Sequence, residues 1–202
     1  MTSKIATSPG VSTELDPRRN AFRPDLADSR LRGQVPAPRF VTPTSAQVCE
    51  SVVALRQKPD HDAPRDTEAL FGENVRVFDR RDGWAWVQLD GDGYVGYLPE
   101  TTITSDMQAP THRVRAPTAL AYAQPSVTSE PGRTLPLNAA VHVVKIVDGF
   151  GELSGGGYVG MRFLADWESG YEVDHAATAE RFLGVPYVYG GRSAIGGIDC
   201  SG

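Results

Sequence analysis

Between residues 48 and 104 the apolar positions fall in short runs of strand-forming types: Val48, Val52, Val53, Val75, Val77, Trp84, Trp86, Val87, Tyr94, Val95, Tyr97 and Leu98. Val75-Arg76-Val77 and Trp84-Ala85-Trp86 alternate with a period of two, the pattern of strands with one face buried. Asp82-Gly83 and Asp90-Gly91-Asp92-Gly93 interrupt the runs. Such pairs favour tight hairpin turns, because glycine reaches positive φ without a steric penalty. The pattern predicts a small all-β unit over residues 46–106.

A second unit, over residues 110–167, reads as a diverged copy of the first. Gly72-Glu-Asn-Val75-Arg-Val77, ending at Asp82-Gly83, parallels Asn138-Ala-Ala-Val141-His-Val143, ending at Asp148-Gly149, with eight residues from valine to glycine in both. Gly93-Tyr94-Val95-Gly96 returns as Gly157-Tyr158-Val159-Gly160. The offset is 66 residues at the first match and 64 at the second, so the later hairpin is shorter. Two matches in the same order argue for duplication where one would not.

Outside these units the pattern changes. Residues 1–45 are polar and proline-rich, the character of an arm or linker lying against another part of the molecule. Pro24 suits a first helical position and Gly33 a stop just beyond Leu31, so a short helix is expected there. After Trp167 the periodicity becomes helical. Asp174 is placed to cap a helix running from His175 through Leu183, with Ala176, Ala179, Phe182 and Leu183 on one face. Gly184 and Pro186 then end it.

Composition narrows the function classes. Hydrophobic residues at 40% and charged residues at 22% are globular values. Twenty-one glycines and 15 prolines favour turns over long helices. A net charge of −5 offers no global attraction to nucleic acid or to an anionic membrane. Arg18, Arg19, Arg23, Arg30, Arg32 and Arg39 do cluster, but Asp16, Asp25 and Asp28 interrupt them, which predicts a solvated segment. No run approaches the roughly 18 apolar residues of a membrane span, and residues 1–20 lack the apolar core of a signal peptide. With only two cysteines in the chain there is no disulfide framework. A cytoplasmic setting is expected, with export to the cell envelope as the alternative. Cys49 and Cys200 are far apart and the histidines scattered, so no metal site is expected. Nor is there a phosphate-binding loop with its lysine; no cofactor is expected.

The candidate chemistry lies at the end of the chain. Gly184-Val-Pro186-Tyr187-Val-Tyr189-Gly190-Gly191 leads into Asp199-Cys200-Ser201-Gly202. A cysteine thiol becomes nucleophilic as the thiolate, favoured at a helix N-terminus beside a histidine. Backbone N–H groups at such a helix start hold the oxyanion formed when a carbonyl is attacked. Glycines let the chain turn sharply close to a substrate. Cys49, at the start of a strand, reads instead as a small packed residue.

Two resemblances follow. The strand, Asp-Gly turn, Gly-Trp-Ala-Trp-Val strand and Gly-Tyr-Val-Gly-Tyr-Leu-Pro order resembles bacterial SH3-like domains, well over 50–104 and more loosely over 112–166, where Phe150 and Glu152 replace the tryptophans. The aromatics Trp84, Trp86, Tyr94 and Tyr97 then serve as barrel core and girdle, or alternatively as a peptide-recognising groove. The linked motifs at 184–191 and 199–202 resemble NlpC-type, papain-like cysteine peptidases. This implies a mainly β fold class: two small SH3-like β-barrels followed by the first helix and loop of an incomplete papain-like α+β domain at residues 170–202.

The second resemblance also implies roles. Cys200 is the nucleophile, and Tyr187 approaches the reacting carbonyl. Asp199 and Ser201 bind the free amine of L-alanine. The substrate is a peptidoglycan stem peptide cut between γ-D-glutamate and the diamino acid, in murein recycling or turnover, with an aromatic from the first SH3-like domain closing the pocket. Partners would be such peptides, with no nucleic acid and no membrane. Members of the family supply the histidine base and its orienting residue downstream of the cysteine, and His61, His112, His142 and His175 do not match it. The chain is therefore expected to be the N-terminal portion of a longer enzyme, inactive alone, with residues 186–202 loosely docked. The rival reading is a non-catalytic cell-wall peptide-binding module. An acyltransferase or amidase on the same scaffold is a third.

Overall fold

The computed structural model describes residues 15–169, 171 and 173–200; the first fourteen residues of the expected arm lie outside that range. The described residues form a mainly β molecule. A small sheet comes first, from β1 (Phe22–Arg23), β2 (Leu26–Asp28) and β3 (Phe40–Val41). A seven-stranded sheet follows, from β4 (Thr44–Val48), β5 (Val52–Arg56), β6 (Arg65–Leu70), β7 (Asn74–Arg81), β8 (Trp84–Leu89), β9 (Val95–Pro99) and β10 (Ile103–Thr104). Its strand order is β10-β4-β7-β8-β9-β5-β6.

The core of this unit is built from the small and aliphatic residues of each strand. Ala85, Val87 and Leu89 of β8 pack there with Leu55, Val75 and Leu98. Trp84 and Trp86 alternate with these residues and so lie on the opposite face. Trp86 is buried not in the main core but in an outer cluster with Ala21, Leu26, Phe78 and Val95. A bulge between Val77 and Asp79 interrupts the β7–β8 register next to Phe78.

The amino-terminal segment supplies the cover for that outer face, and it does so as strand rather than helix. The expected helix after Pro24 is replaced by β2 and a single 3-10 turn at Ser29–Leu31. Leu26, Ala27 and Asp28 are buried in succession, which a strand pressed between neighbours allows and a surface helix does not. The arginines expected to be solvated are divided. Arg18, Arg19, Arg30, Arg32 and Arg39 are exposed, although Arg19 lies 4.5 Å from the Tyr94 ring centre. Arg23 instead is half-buried, pairs with Asp25 and Asp79 and lies 4.7 Å from the Trp86 ring centre.

The second unit comprises β11 (His112–Val114), β12 (Thr118–Tyr122), β13 (Pro131–Pro136), β14 (Ala140–Val141), β15 (Val143–Val147), β16 (Phe150–Leu153), β17 (Tyr158–Gly160) and β18 (Leu164–Asp166). They form sheets in the order β13-β12-β17-β16-β15 and β14-β11-β18 around Val114, Leu135, Val141, Val159 and Leu164. The hairpin turns of the two units match in detail. Asp82-Gly83 has φ of 52° and 79°, and Asp148-Gly149 has φ of 50° and 78°. The units meet where the Ala140 N–H donates to the Phe71 carbonyl at 2.9 Å.

Beyond them lies α1 (His175–Glu180), capped as expected: the Asp174 carboxylate accepts from the Ala177 N–H at 2.9 Å. The helix is shorter than the apolar pattern predicted. After Glu180 the chain continues in tighter turns to Gly184, and Leu183 is 83% exposed. A two-stranded hairpin of β19 (Arg192–Ser193) and β20 (Gly197–Ile198) ends the described chain.

Candidate active site

The hairpin that carries the cysteine motif is folded by backbone contacts at very short range. The Val188 N–H donates to the Ile198 carbonyl at 3.1 Å, Ile198 N–H to Pro186 at 3.1 Å, and Asp199 N–H to Gly191 at 3.0 Å. A β-carbon at Gly191 would stand 2.4 Å from the Gly197 carbonyl oxygen, and one at Gly197 would stand 2.4 Å from Val188 Cγ2. Only glycine allows these crossings, so the Gly-rich motif is a packing requirement here.

Arg192 anchors the hairpin to the first unit. Its guanidinium reaches Glu73 at 2.8 and 3.2 Å, the Glu68 carbonyl at 2.6 Å and Asp92 at 3.5 Å. The Arg192 N–H also donates to the Glu68 carboxylate at 2.8 Å, and Arg65 pairs with the same carboxylate at 2.7 Å. Burial opposes the Arg192 charge, but Glu73, Asp92 and Glu68 outweigh it and the net shift is upward. The expectation of loose docking is therefore corrected for residues 190–193: charge-assisted bonds tie this segment to β6 and to the β6–β7 turn.

Asp199 and Cys200 emerge from this hairpin into a cleft of about 720 Å³. Its walls come from three parts of the chain: Leu70 of the first unit, Leu137 and Asn138 of the second, and His175, Thr178, Ala179, Phe182 and Leu183 around α1. Cys200 is exposed. The Asp199 carboxylate accepts from the Gly190 N–H at 2.9 Å, so it is oriented from within the hairpin. Tyr187 is not brought into these walls. Its backbone bridges Ile198 and its side chain is 68% exposed. Ser201, and the helix expected to open at Cys200, lie outside the described residues.

Two features escaped sequence reasoning. His175, which sequence reasoning set aside as not matching the family's base, is exposed yet lines the same cleft as Cys200, and no hydrogen bond joins them among the described residues. Arg192 draws its hydrogen-bond partners Glu73 and Glu68 from 119 and 124 positions away, so no local pattern could announce it. Cys49 keeps its structural reading. It is half-buried, and desolvation, aided by Glu50, pushes its thiol above the ordinary value, away from thiolate at neutral pH.

Known proteins resemble this chain at two levels. Residues 55–103 match the family described as bacterial dipeptidyl-peptidase SH3 domain. Over 162 residues, 68% of the chain, it is 29% identical to a gamma-D-glutamyl-L-lysine dipeptidyl-peptidase of Bacillus cereus. The match spans 47% of that protein, about half its length. A crystal structure of an NlpC/P60 family protein from Bacillus cereus superposes with a TM-score of 0.63 at 22% identity. The superposition covers 78% of this chain and 69% of that one, and shows a shared fold.

Proposed function

We propose that the protein is a cell-wall peptidase whose nucleophile is Cys200, acting on peptidoglycan stem peptides at the bond between γ-D-glutamate and the diamino acid. The observation that carries this reading is the exit of Asp199-Cys200 from a rigid Gly-rich hairpin into a cleft shared with both β units. The likeness to a dipeptidyl-peptidase that names the γ-D-glutamyl bond supports the substrate class. In this reading residues 110–167 are a second SH3-like domain.

The Cys200 thiolate attacks the γ-glutamyl amide carbon. A histidine takes the thiol proton and later protonates the leaving amine, and water releases the acyl group. Asp199, with Ser201, receives the substrate's free L-alanyl ammonium, since a carboxylate held by a backbone N–H is a pre-oriented acceptor for a cation. Tyr187 approaches the oxyanion once substrate is present. Turnover of small released peptides in the cytoplasm is part of this reading.

The match of residues 55–103 to an SH3 domain favours a second reading, a non-catalytic peptide-binding module. One experiment separates the two. L-Ala-γ-D-Glu-diamino-acid tripeptide is incubated with the product of the complete gene, with Cys200→Ala and with His175→Ala. The peptidase reading expects cleavage by the wild type, none by Cys200→Ala and near wild-type cleavage by His175→Ala. Tripeptide binding without cleavage in all three proteins would sustain the binding module instead.

A further inference from the structure

The outer face of the first unit carries a second cleft, of about 490 Å³, that shares no lining residue with the one at Cys200. Its floor is aromatic. Trp84 and Trp86 stand two residues apart on the same face of β8, and Tyr97 is the cross-strand partner of Trp86. Arg23 lies over Trp86, but Trp84 is only half-buried. Exposed His61 leans on the Trp84 ring at 4.8 Å between centroids.

The polar side of this cleft is held before any ligand arrives. Arg23 bonds Asp25 at 2.8 and 3.2 Å, reaches Asp79, and lies 3.4 Å from the Tyr97 hydroxyl. The amino-terminal segment thus supplies half of the site and the sheet the other half.

We infer that this cleft binds a neutral saccharide, with a pyranose ring stacked on Trp84 and its hydroxyls bonded to the Arg23–Asp25–Asp79 network. Three observations select that chemistry. First, Arg23 and Arg81 nearly balance Asp25, Asp79 and Asp82 around the opening, so no strong field of one sign draws in a polyion. Second, β8 is flanked on both sides by β7 and β9, so an extended peptide finds no free strand edge here. Third, a pyranose has an apolar C–H face and a rim of hydroxyls that donate and accept. That matches an indole beside fixed guanidinium and carboxylate groups, in a volume within the roughly 300–1,000 Å³ of small-ligand sites.

The test is a titration of the 202-residue chain with the tetramer of N-acetylglucosamine and with cellotetraose. It is followed by the three tryptophan indole N–H resonances and by calorimetry. A saturable shift of the Trp84 resonance with at least one saccharide is expected. Affinity should fall roughly tenfold or more in Trp84→Ala, as at a stacking hot spot, and several-fold in Asp25→Asn, which keeps its shape and an exposed position. An unchanged amide spectrum confirms that each variant is folded. Cys200→Ala should bind like the wild type. No shift with either saccharide, undiminished binding by Trp84→Ala, or a Trp84 shift with the stem tripeptide alone would overturn the inference. No turnover is required, so failure here leaves the peptidase reading standing.

Discussion

Arg113 shows how far a single side chain can depart from what its neighbours in sequence suggest. It is 6% exposed, on the middle position of β11, between the rings of Trp167 and Tyr171 at 4.7 and 4.1 Å. One guanidinium nitrogen donates to the Trp167 carbonyl, while Nε and Nη1 lack a hydrogen-bond partner among the described residues. Ring faces offset part of the desolvation of a cation, but unmade hydrogen bonds keep their cost. Arg113→Met retains the length and the ring contacts and removes the charge. Its unfolding free energy in urea should equal or exceed the wild type by up to about 2 kcal/mol. A loss of similar size would show that the charge is needed. Around Cys200 the candidate chemistry was legible at the residue scale, because the cysteine, its flanking aspartate and two preceding glycines lie within five positions. Tyr187 was equally visible, yet its side chain lies outside the cleft.

At the scale of elements, the amino-terminal segment is the clearest departure from local expectation. Pro24 and Gly33 suggested a helix. What forms is a buried strand whose last residue, Asp28, caps the next turn by accepting the Arg30 N–H at 2.9 Å. Burial pushes the Asp28 carboxyl up, but the side-chain and backbone hydrogen bonds from Arg30 outweigh it, and its pKa lies below the ordinary value. The unfolded chain therefore takes up this proton more readily than the folded one. The stabilisation is complete above the unfolded pKa of about 3.9 and is lost as pH falls through the lower folded value. Acid titration should loosen the segment below about pH 4, read as a change in Trp86 emission. Asp28→Asn should weaken the segment at neutral pH and remove that part of the acid dependence. An Asp28→Asn protein with the wild-type acid profile would contradict the assignment.

At the scale of the whole molecule, one arginine joins the motif hairpin to the first β unit. Arg192→Ala would leave Glu73 without this ion-pair partner, while Glu68 keeps Arg65 and the backbone N–H of residue 192. Since Arg192 itself is half-buried, the expected cost is roughly 2–3 kcal/mol, below the fully buried range. Amide exchange at residues 190–198 should rise while the core of the first unit keeps its protection; unchanged exchange would mean that the backbone contacts alone hold the hairpin. Some of this was written in the sequence. Turns at Asp82-Gly83 and Asp148-Gly149, the alternation of β7 and β8, the Asp174 cap and the Cys200 motif are set by residues a few positions apart, and such signals survive without a fold. Tertiary structure alone decided which face of β8 is the core, since period two marks alternation without saying which side is inside. It also decided that residues 22–28 form strands, because only an outer face already lined by Trp86 and Phe78 makes burying three consecutive residues favourable. The partners of Arg192 and the meeting of Leu70, Leu137 and His175 around Cys200 were likewise tertiary. They depend on contacts between distant residues, for which the chain carries no local mark.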